Sequence, residues 1–472
     1  MKRLILFAAL LLTVASGAWA DPVPQAIWCS GNTTLYFTYA EPVTQGSSYG
    51  EQTADRVYSG DDFNYAKWGN NSDITGNCTT VVFETSFSSA RPTKCTNWFV
   101  GFGVLTNIQG IGNLNTSEVT NMGSMFANCV GLTSIDLSDF NTAQVTDMES
   151  MFQNCKGLTT LDLSNFDTSN VTNMIKMFYG CMALNTLTVA TGWTKITSYS
   201  DRFKNCTPST IHLVMDDEGD SQSLMEEFGE LISGKTVNVT LRNRKLYKDG
   251  DWNTLCLPFD VTIAGSSLAG ATLKELDTTQ SNLAADGKLT LTFKDATNIQ
   301  ACKPYLIKWN NTEGTEQTEG TENIVDPVFN GVTISSYGPT AVTFANAQGS
   351  DCSFVGQYKP FVINSSNQNT IVMLSSGSRI GYSNNVPRTL RSMRAHFEIP
   401  TSGNAPAMTA YEIDFDGEES TGIISMHHSE SIMHHEVYDL QGRRVESSMF
   451  NVQRSMLKKG LYIINGKKVL IP

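Results

Sequence analysis

Past residue 20 the chain has no apolar run long enough to cross a bilayer as a helix, which argues against a helical membrane span there. Basic residues are short: 33 Lys and Arg face 46 Asp and Glu, a formal net charge of −13. Phosphate backbones select basic surfaces, so nucleic acid is a poor partner. Catalytic signatures are missing too, with no H-E-x-x-H, no G-x-S-x-G and no phosphate-cradling glycine loop. Histidines number six, and four of them form the pairs His427-His428 and His434-His435. Adjacent imidazoles can hold a transition metal. These two pairs, however, lie in a Ser-rich linker without fixed geometry. No metal, no cofactor and no catalytic residue is expected.

The first residues have a definite pattern. Met1-Lys2-Arg3 precede a short apolar run from Leu4 to Leu12, and small residues then end in Ala18-Trp19-Ala20. A charged start, a short greasy centre and an A-x-A site predict a secretory signal peptide over 1–20, with the mature chain beginning at Asp21. Cys29 follows Ala26-Ile27-Trp28, which does not suit lipoprotein processing. The last 37 residues, 436–472, carry seven Lys or Arg against three acids, so charge is polarised toward a basic C-terminal piece.

Three blocks then align without gaps: NTSEVTNMGSMFANCVGLTSIDLSDF from Asn115, NTAQVTDMESMFQNCKGLTTLDLSNF from Asn141 and DTSNVTNMIKMFYGCMALNTLTVATG from Asp167. A fixed 26-residue period marks a solenoid. Apolar columns recur at Val119/Val145/Val171, Met122/Met148/Met174, Met125/Met151/Met177, Phe126/Phe152/Phe178, Cys129/Cys155/Cys181 and Leu132/Leu158/Leu184, followed by Ile135/Leu161/Leu187 and Leu137/Leu163/Val189. One block cannot bury that surface, whereas stacked blocks turn each column into a ladder. Val119 to Cys129 fall at helical spacing, predicting a short helix or a tight helical turn in each coil. Leu132, Ile135, Leu137 and Phe140 follow the L-x-x-L-x-L strand pattern. Asn115, Asn141 and Asp167 open the blocks, where their side chains can close a bend.

The V-T-N-M-x-x-M-F-x-x-C run and the L-T-x-L-D-L-S-N-F strand closely resemble the leucine-rich repeats of the BspA-like bacterial surface protein family. The resemblance covers roughly residues 78–213, with imperfect coils at both ends. It implies surface exposure and adhesion to host proteins or other cells, and no reaction. The stretch LYKDGDWNTLCLPFDVTI, residues 246–263, looks like a module accompanying such repeats in Bacteroidota surface proteins. VYDLQGRRV at 437–445 and KGLYIINGKKVL at 459–470 resemble C-terminal sorting domains of the type IX secretion system. Together these imply a protein secreted to, or held at, the surface of a Gram-negative bacterium.

The fold expected is β-rich α+β. A signal peptide (1–20) and an N-terminal cap (21–77) precede the leucine-rich-repeat solenoid (78–215), whose coils each hold a short helix and a strand. A single capping helix follows (216–235), with Ser223-Leu224-Met225-Glu226 as its capping box. Residues 236–418 alternate with period two and predict an all-β, sandwich-like domain, interrupted by an acidic low-complexity loop at 312–322. A linker (419–435) leads to a small β hairpin within 436–472.

The candidate binding face is the row of outward strand residues: Ser134, Asp136 and Ser138, then Thr160, Asp162 and Ser164, then Thr186 and Thr188. The partner expected is a host extracellular protein or another cell surface. Two other readings stand beside it. One is a glycan-binding module, with Trp68, Trp252 or Trp309 as a stacking platform. The other is a glycan or peptide hydrolase hidden in 236–418; paired acids such as Asp136 and Asp162 are the further glycosidase possibility. Ten cysteines in an exported chain leave disulfide pairing open, Cys78–Cys95 included.

Overall fold

The computed structural model describes residues 21–60, 63, 66–193, 198, 200–309, 323–375, 379–383, 386–400, 408–415, 421–425, 437–438, 460–464 and 467–471. The expected signal peptide, the acidic loop and both histidine pairs lie outside the described residues. The described chain is strand-rich, with few and short helices. It forms two compact units, Met1–Gly422 and Ile423–Pro472.

In the first unit an antiparallel pair, Val23–Cys29 and Thr34–Ala40, starts a sheet that turns parallel at Thr80–Phe83 and Asn107–Gln109. The aromatic side chains of this cap gather on Phe37, whose ring stacks on Phe83 at 4.6 Å and on Trp98 at 5.5 Å. The 26-residue blocks follow as stacked coils. Phe99, Phe126, Phe152, Phe178 and Phe203 form one pile, with successive ring centroids 5.6, 5.7, 5.9 and 5.1 Å apart.

The coils contain no helix at Val119–Cys129 or its counterparts, which corrects the expected helical half. The backbone instead makes successive three-residue turns. Met125 N bonds Met122 O at 3.2 Å, Cys129 N bonds Phe126 O at 3.1 Å, and Leu132 N bonds Cys129 O at 3.3 Å. Ser124 (φ 54°) and Asn128 (φ 62°) take the third positions of the first two, as type II turns require. Asn154 (φ 56°) and Gly180 (φ 73°) repeat the second. Left-handed residues end helical propagation. The freed N–H groups bond the next coil: Met122, Ser124, Phe126 and Asn128 reach the carbonyls of Asp147, Glu149, Met151 and Gln153 at 2.7–2.9 Å. Spacing of three therefore reports turn corners, each aiming one side chain inward.

The opposite side of the coils is a parallel sheet of Thr160–Leu163, Thr186–Ala190 and Thr210–Asp216. Thr236–Arg242, expected to open the separate β domain, pairs in parallel with Thr210–Asp216 and continues this sheet. Val328–Thr333 then closes its edge antiparallel. One apolar cluster accordingly runs from Ala26 through the coil columns to Leu255, Tyr305 and Met393. The expected boundary at residue 236 is thus crossed by both hydrogen bonds and core.

The expected single capping helix is two short ones, Ser221–Glu227 and Gly229–Ile232. Asp220, not Ser223, caps the first: its Oδ1 accepts from Ser223 N at 2.9 Å. The break falls at Phe228, whose ring covers the end of the pile, 5.1 Å from Trp193 and 6.1 Å from Phe203. Beyond, the strand-rich region builds one large sheet, mostly antiparallel, including Lys288–Ala296, Cys352–Gln357 and Arg394–Glu398.

The second unit contains an antiparallel hairpin, Gly460–Ile464 with Lys467–Ile471. Val437–Tyr438 adds a third strand to it.

Candidate functional site: the outward face of the coil sheet

Alternation along Thr160–Leu163 sends Leu161 and Leu163 into the core and leaves Thr160 and Asp162 exposed. The in-register parallel ladder places Thr186 beside Thr160 and Thr188 beside Asp162. Four of the eight expected face residues thus share paired strands. Ser134, Asp136 and Ser138 are exposed but lie outside any strand, with Ser138 in a turn, which corrects the expected three-strand face. At the end of that segment Asn165 Nδ2 lies within donor distance of the carbonyls of Leu137 (2.9 Å), Ser138 (3.2 Å) and Phe140 (2.9 Å). Thr159 N to Thr133 O, at 3.0 Å, is the backbone bond at its start. Ser164 is half-buried just past its strand.

Asn165→Ala leaves these three carbonyls without their shared donor. We expect a loss of about 1–3 kcal/mol, read as a lower urea midpoint. Hydrogen exchange at residues 136–140 should rise with it. An unchanged midpoint and unchanged exchange would mean that the amide carries nothing.

Asp136 and Asp162 each close a bend in the chain. Asp136 Oδ1 accepts from Ser138 N at 3.0 Å, and Asp162 Oδ1 accepts from Ser164 N at 2.9 Å. The Ser138 hydrogen bonds lower the Asp136 carboxyl below its ordinary value. Between the two coils lies a shallow depression of ≈ 110 Å³ lined by Asp136, Ser138, Asp162, Ser164 and Asn165, with Ile135 and Leu137 as its floor. Small-molecule pockets run to about 300–1,000 Å³. This one lies below that range.

Two members of the face were missed from sequence. The ladder places His212 beside Thr188 and Asn238 beside His212, so the row reads Asp162, Thr188, His212, Asn238 across four strands. Alternation in Ile211-His212-Leu213 was the signal. It was hidden because the coil is shorter here and the block alignment ends before it. His212 Nε2 lies 2.8 Å from Thr240 Oγ1. Burial lowers the His212 pKa, and Asp162 partly offsets this, so the imidazole is neutral at pH 7.

The other candidates are placed differently. Trp68, Trp252 and Trp309 are buried and offer no open aromatic platform. Trp68 Nε1 donates to Trp98 O, and Trp309 Nε1 donates to Ala269 O. All ten cysteines are buried free thiols, Cys78 and Cys95 among them. Among the described residues no three His, Cys, Asp or Glu side chains gather as a cation site. No helix among them is long and apolar enough to cross a membrane.

Residues 93–213 match a family described as "Mycoplasma protein of unknown function, DUF285". That segment holds the stacked coils and ends within the third strand of their parallel sheet. No curated protein matches the chain. Among solved structures it is similar to a leucine rich cell surface protein from Faecalibacterium prausnitzii A2-165, at 17% identity and a TM-score of 0.24. That similarity covers 60% of this chain and 65% of the other, just under two thirds of the latter's length.

Proposed function

We propose that this is an exported cell-surface interaction protein of a Gram-negative bacterium, which binds a protein or another cell's surface through the outward coil face and catalyses no reaction. In this reading the stacked coils are a leucine-rich-repeat solenoid of the BspA-like type, and the basic C-terminal segment is a type IX sorting signal. The observation that carries the proposal is the in-register row from Asp162 to Asn238, set on four strands joined in one parallel ladder. Short polar side chains on a fixed backbone lose little entropy on contact. The face carries the carboxylates of Asp136 and Asp162, and burial lowers the pKa of His212, so the face is negative and suits a basic patch on its partner.

The test separates charge from structure. Asp136→Asn with Asp162→Asn keeps an Oδ1 acceptor for each bend and removes two charges; Asp136→Lys with Asp162→Lys reverses them. Both pairs are measured against an array of extracellular-matrix proteins and glycans at low and high salt. The Asn pair should bind about three- to tenfold more weakly at low salt, with less salt dependence, and the Lys pair more weakly still. Affinity and salt slope unchanged in both, with native circular dichroism, would move the binding site elsewhere.

A further inference from the structure

Asn330 and Gly331 interrupt the strand Val328–Thr333, which closes the edge of the coil sheet. On either side of them the pairing with Thr236–Arg242 is regular: Thr240 faces Val328, Val239 faces Phe329, and Val237 faces Val332. Between Val239 and Val237 the register shifts, so Asn330 and Gly331 together stand opposite Asn238 alone. That is a β-bulge, and Gly331 takes a left-handed φ of 65°, which glycine adopts without strain. A Cβ placed on Gly331 would meet no neighbouring atom, and both bulge residues are exposed. Phe329 turns into the core, so Asn330 turns outward, to the side that carries Asn238 and the row from Asp162. Within the bulge, Gly331 N donates to Asn238 Oδ1 at 3.0 Å, so a side chain holds this N–H in place of the strand ladder.

We propose that Asn330 is a site of spontaneous deamidation, and that the Asn238 side chain is the brake on it. The backbone nitrogen of Gly331 attacks Asn330 Cγ. A new N–C bond closes a five-membered imide, the side-chain amide C–N bond breaks, and ammonia leaves with the proton from Gly331. Water then opens the ring to aspartate or isoaspartate. The net change is amide plus water to acid plus ammonia, with nothing oxidised or reduced. Glycine after asparagine favours this step, because no side chain shields the attacking nitrogen and the backbone turns freely. The bulge adds exposure, since no strand covers Asn330 or Gly331 from outside. The attacking nitrogen must first give up its proton, and that proton is engaged by Asn238 Oδ1. Reaction therefore waits for this bond to open. Each event places one carboxylate at the Asn238 end of the outward row and makes that face more negative. The chemistry itself does not rest on what the face binds.

The experiment ages the native full chain in warm, mildly alkaline buffer and follows residue 330 by peptide mass mapping, since amide and acid differ in mass. The same chain unfolded in guanidinium chloride gives the unrestrained rate. Native wild type should convert at residue 330, more slowly than the unfolded chain. Asn238→Ala should speed conversion by about two- to tenfold, the worth of one hydrogen bond. Asn238→Asp, which keeps an acceptor for Gly331 N, should stay near the wild-type rate. Asn330→Gln should remove the product at that position. Equal rates in wild type and Asn238→Ala, or a native rate equal to the unfolded one, would overturn the brake. No conversion at residue 330 in either native protein would overturn the site. Should hydrogen exchange show that Asn238→Ala frees all of Val328–Thr333, the aspartate variant decides: a rate as fast as that of the alanine variant overturns the proposal, and a wild-type rate upholds it.

Discussion

Phe152→Ala is expected to destabilise the first unit by about 3–5 kcal/mol, the usual cost of emptying a fully packed aromatic site. The ring is completely buried, with Phe126 stacked 5.7 Å away on one side and Phe178 5.9 Å away on the other. Neither neighbour can collapse into the gap. Each is held by its own backbone bond to the following coil, Phe126 N to Met151 O and Phe178 N to Arg202 O. The cavity therefore persists, and cavity volume adds to the lost transfer energy. Phe152→Leu, which refills most of the space, should recover more than half of the loss. Urea unfolding followed by circular dichroism gives both values. A loss below about 1 kcal/mol for the alanine variant would mean that the phenylalanine pile is not a packed core. Phe126→Ala combined with Phe152→Ala should also depart from additivity, because the two rings share a contact.

Asp217→Ala should cost a similar amount, about 3–5 kcal/mol, for an electrostatic reason. The Asp217 side chain is fully buried just past Thr210–Asp216, with three guanidiniums around it. Arg394 Nη2 is 2.8 Å from Oδ2, Arg391 Nη1 is 3.5 Å from Oδ2, and Arg244 Nη1 is 3.7 Å from Oδ1. Arg244 is itself buried. Burial first, and then the Arg394 charge, push it down to about 9, while Asp217 pulls it up. It stays cationic at neutral pH. Removing the carboxylate leaves a buried cation facing two like charges, with its donor bond to Thr254 O at 2.7 Å as remaining support. Asp217 also joins chain segments far apart in sequence, since its backbone carbonyl accepts from Ser392 N at 2.8 Å. Thermal and urea midpoints should fall together in the alanine variant, and added salt should recover part of the loss by screening the arginines. Asp217→Asn, which keeps an acceptor but no charge, should fall between. Wild-type stability in Asp217→Ala would show that the three arginines do not depend on this carboxylate.

The sequence by itself determined which side chains face inward and at what period. A strict 26-residue register can be satisfied only if each column meets its own copy in the next block, and Phe126, Phe152 and Phe178 do so. It also determined the bends at Asn115, Asn141 and Asp167, whose Oδ1 atoms accept from the N–H two residues on at 2.9–3.0 Å. Such bonds depend only on neighbours in the chain.

Tertiary structure decided the rest, wherever the deciding partner is remote. Spacing of three fits helices and turn corners equally well. The choice at Met122–Cys129 turned on N–H groups bonding a coil about 25 residues away, with Asn128 and Asn154 in the left-handed region to allow it. Strand alternation at Thr236–Arg242 looks the same whether it opens a new domain or extends the coil sheet, and pairing with Thr210–Asp216 settled it. The same pairing brought His212 and Asn238 into a row that the block alignment had closed at Thr188. Trp68, Trp252 and Trp309 carry no mark in sequence of whether they stand open or packed, because burial depends on what the folded chain brings over them.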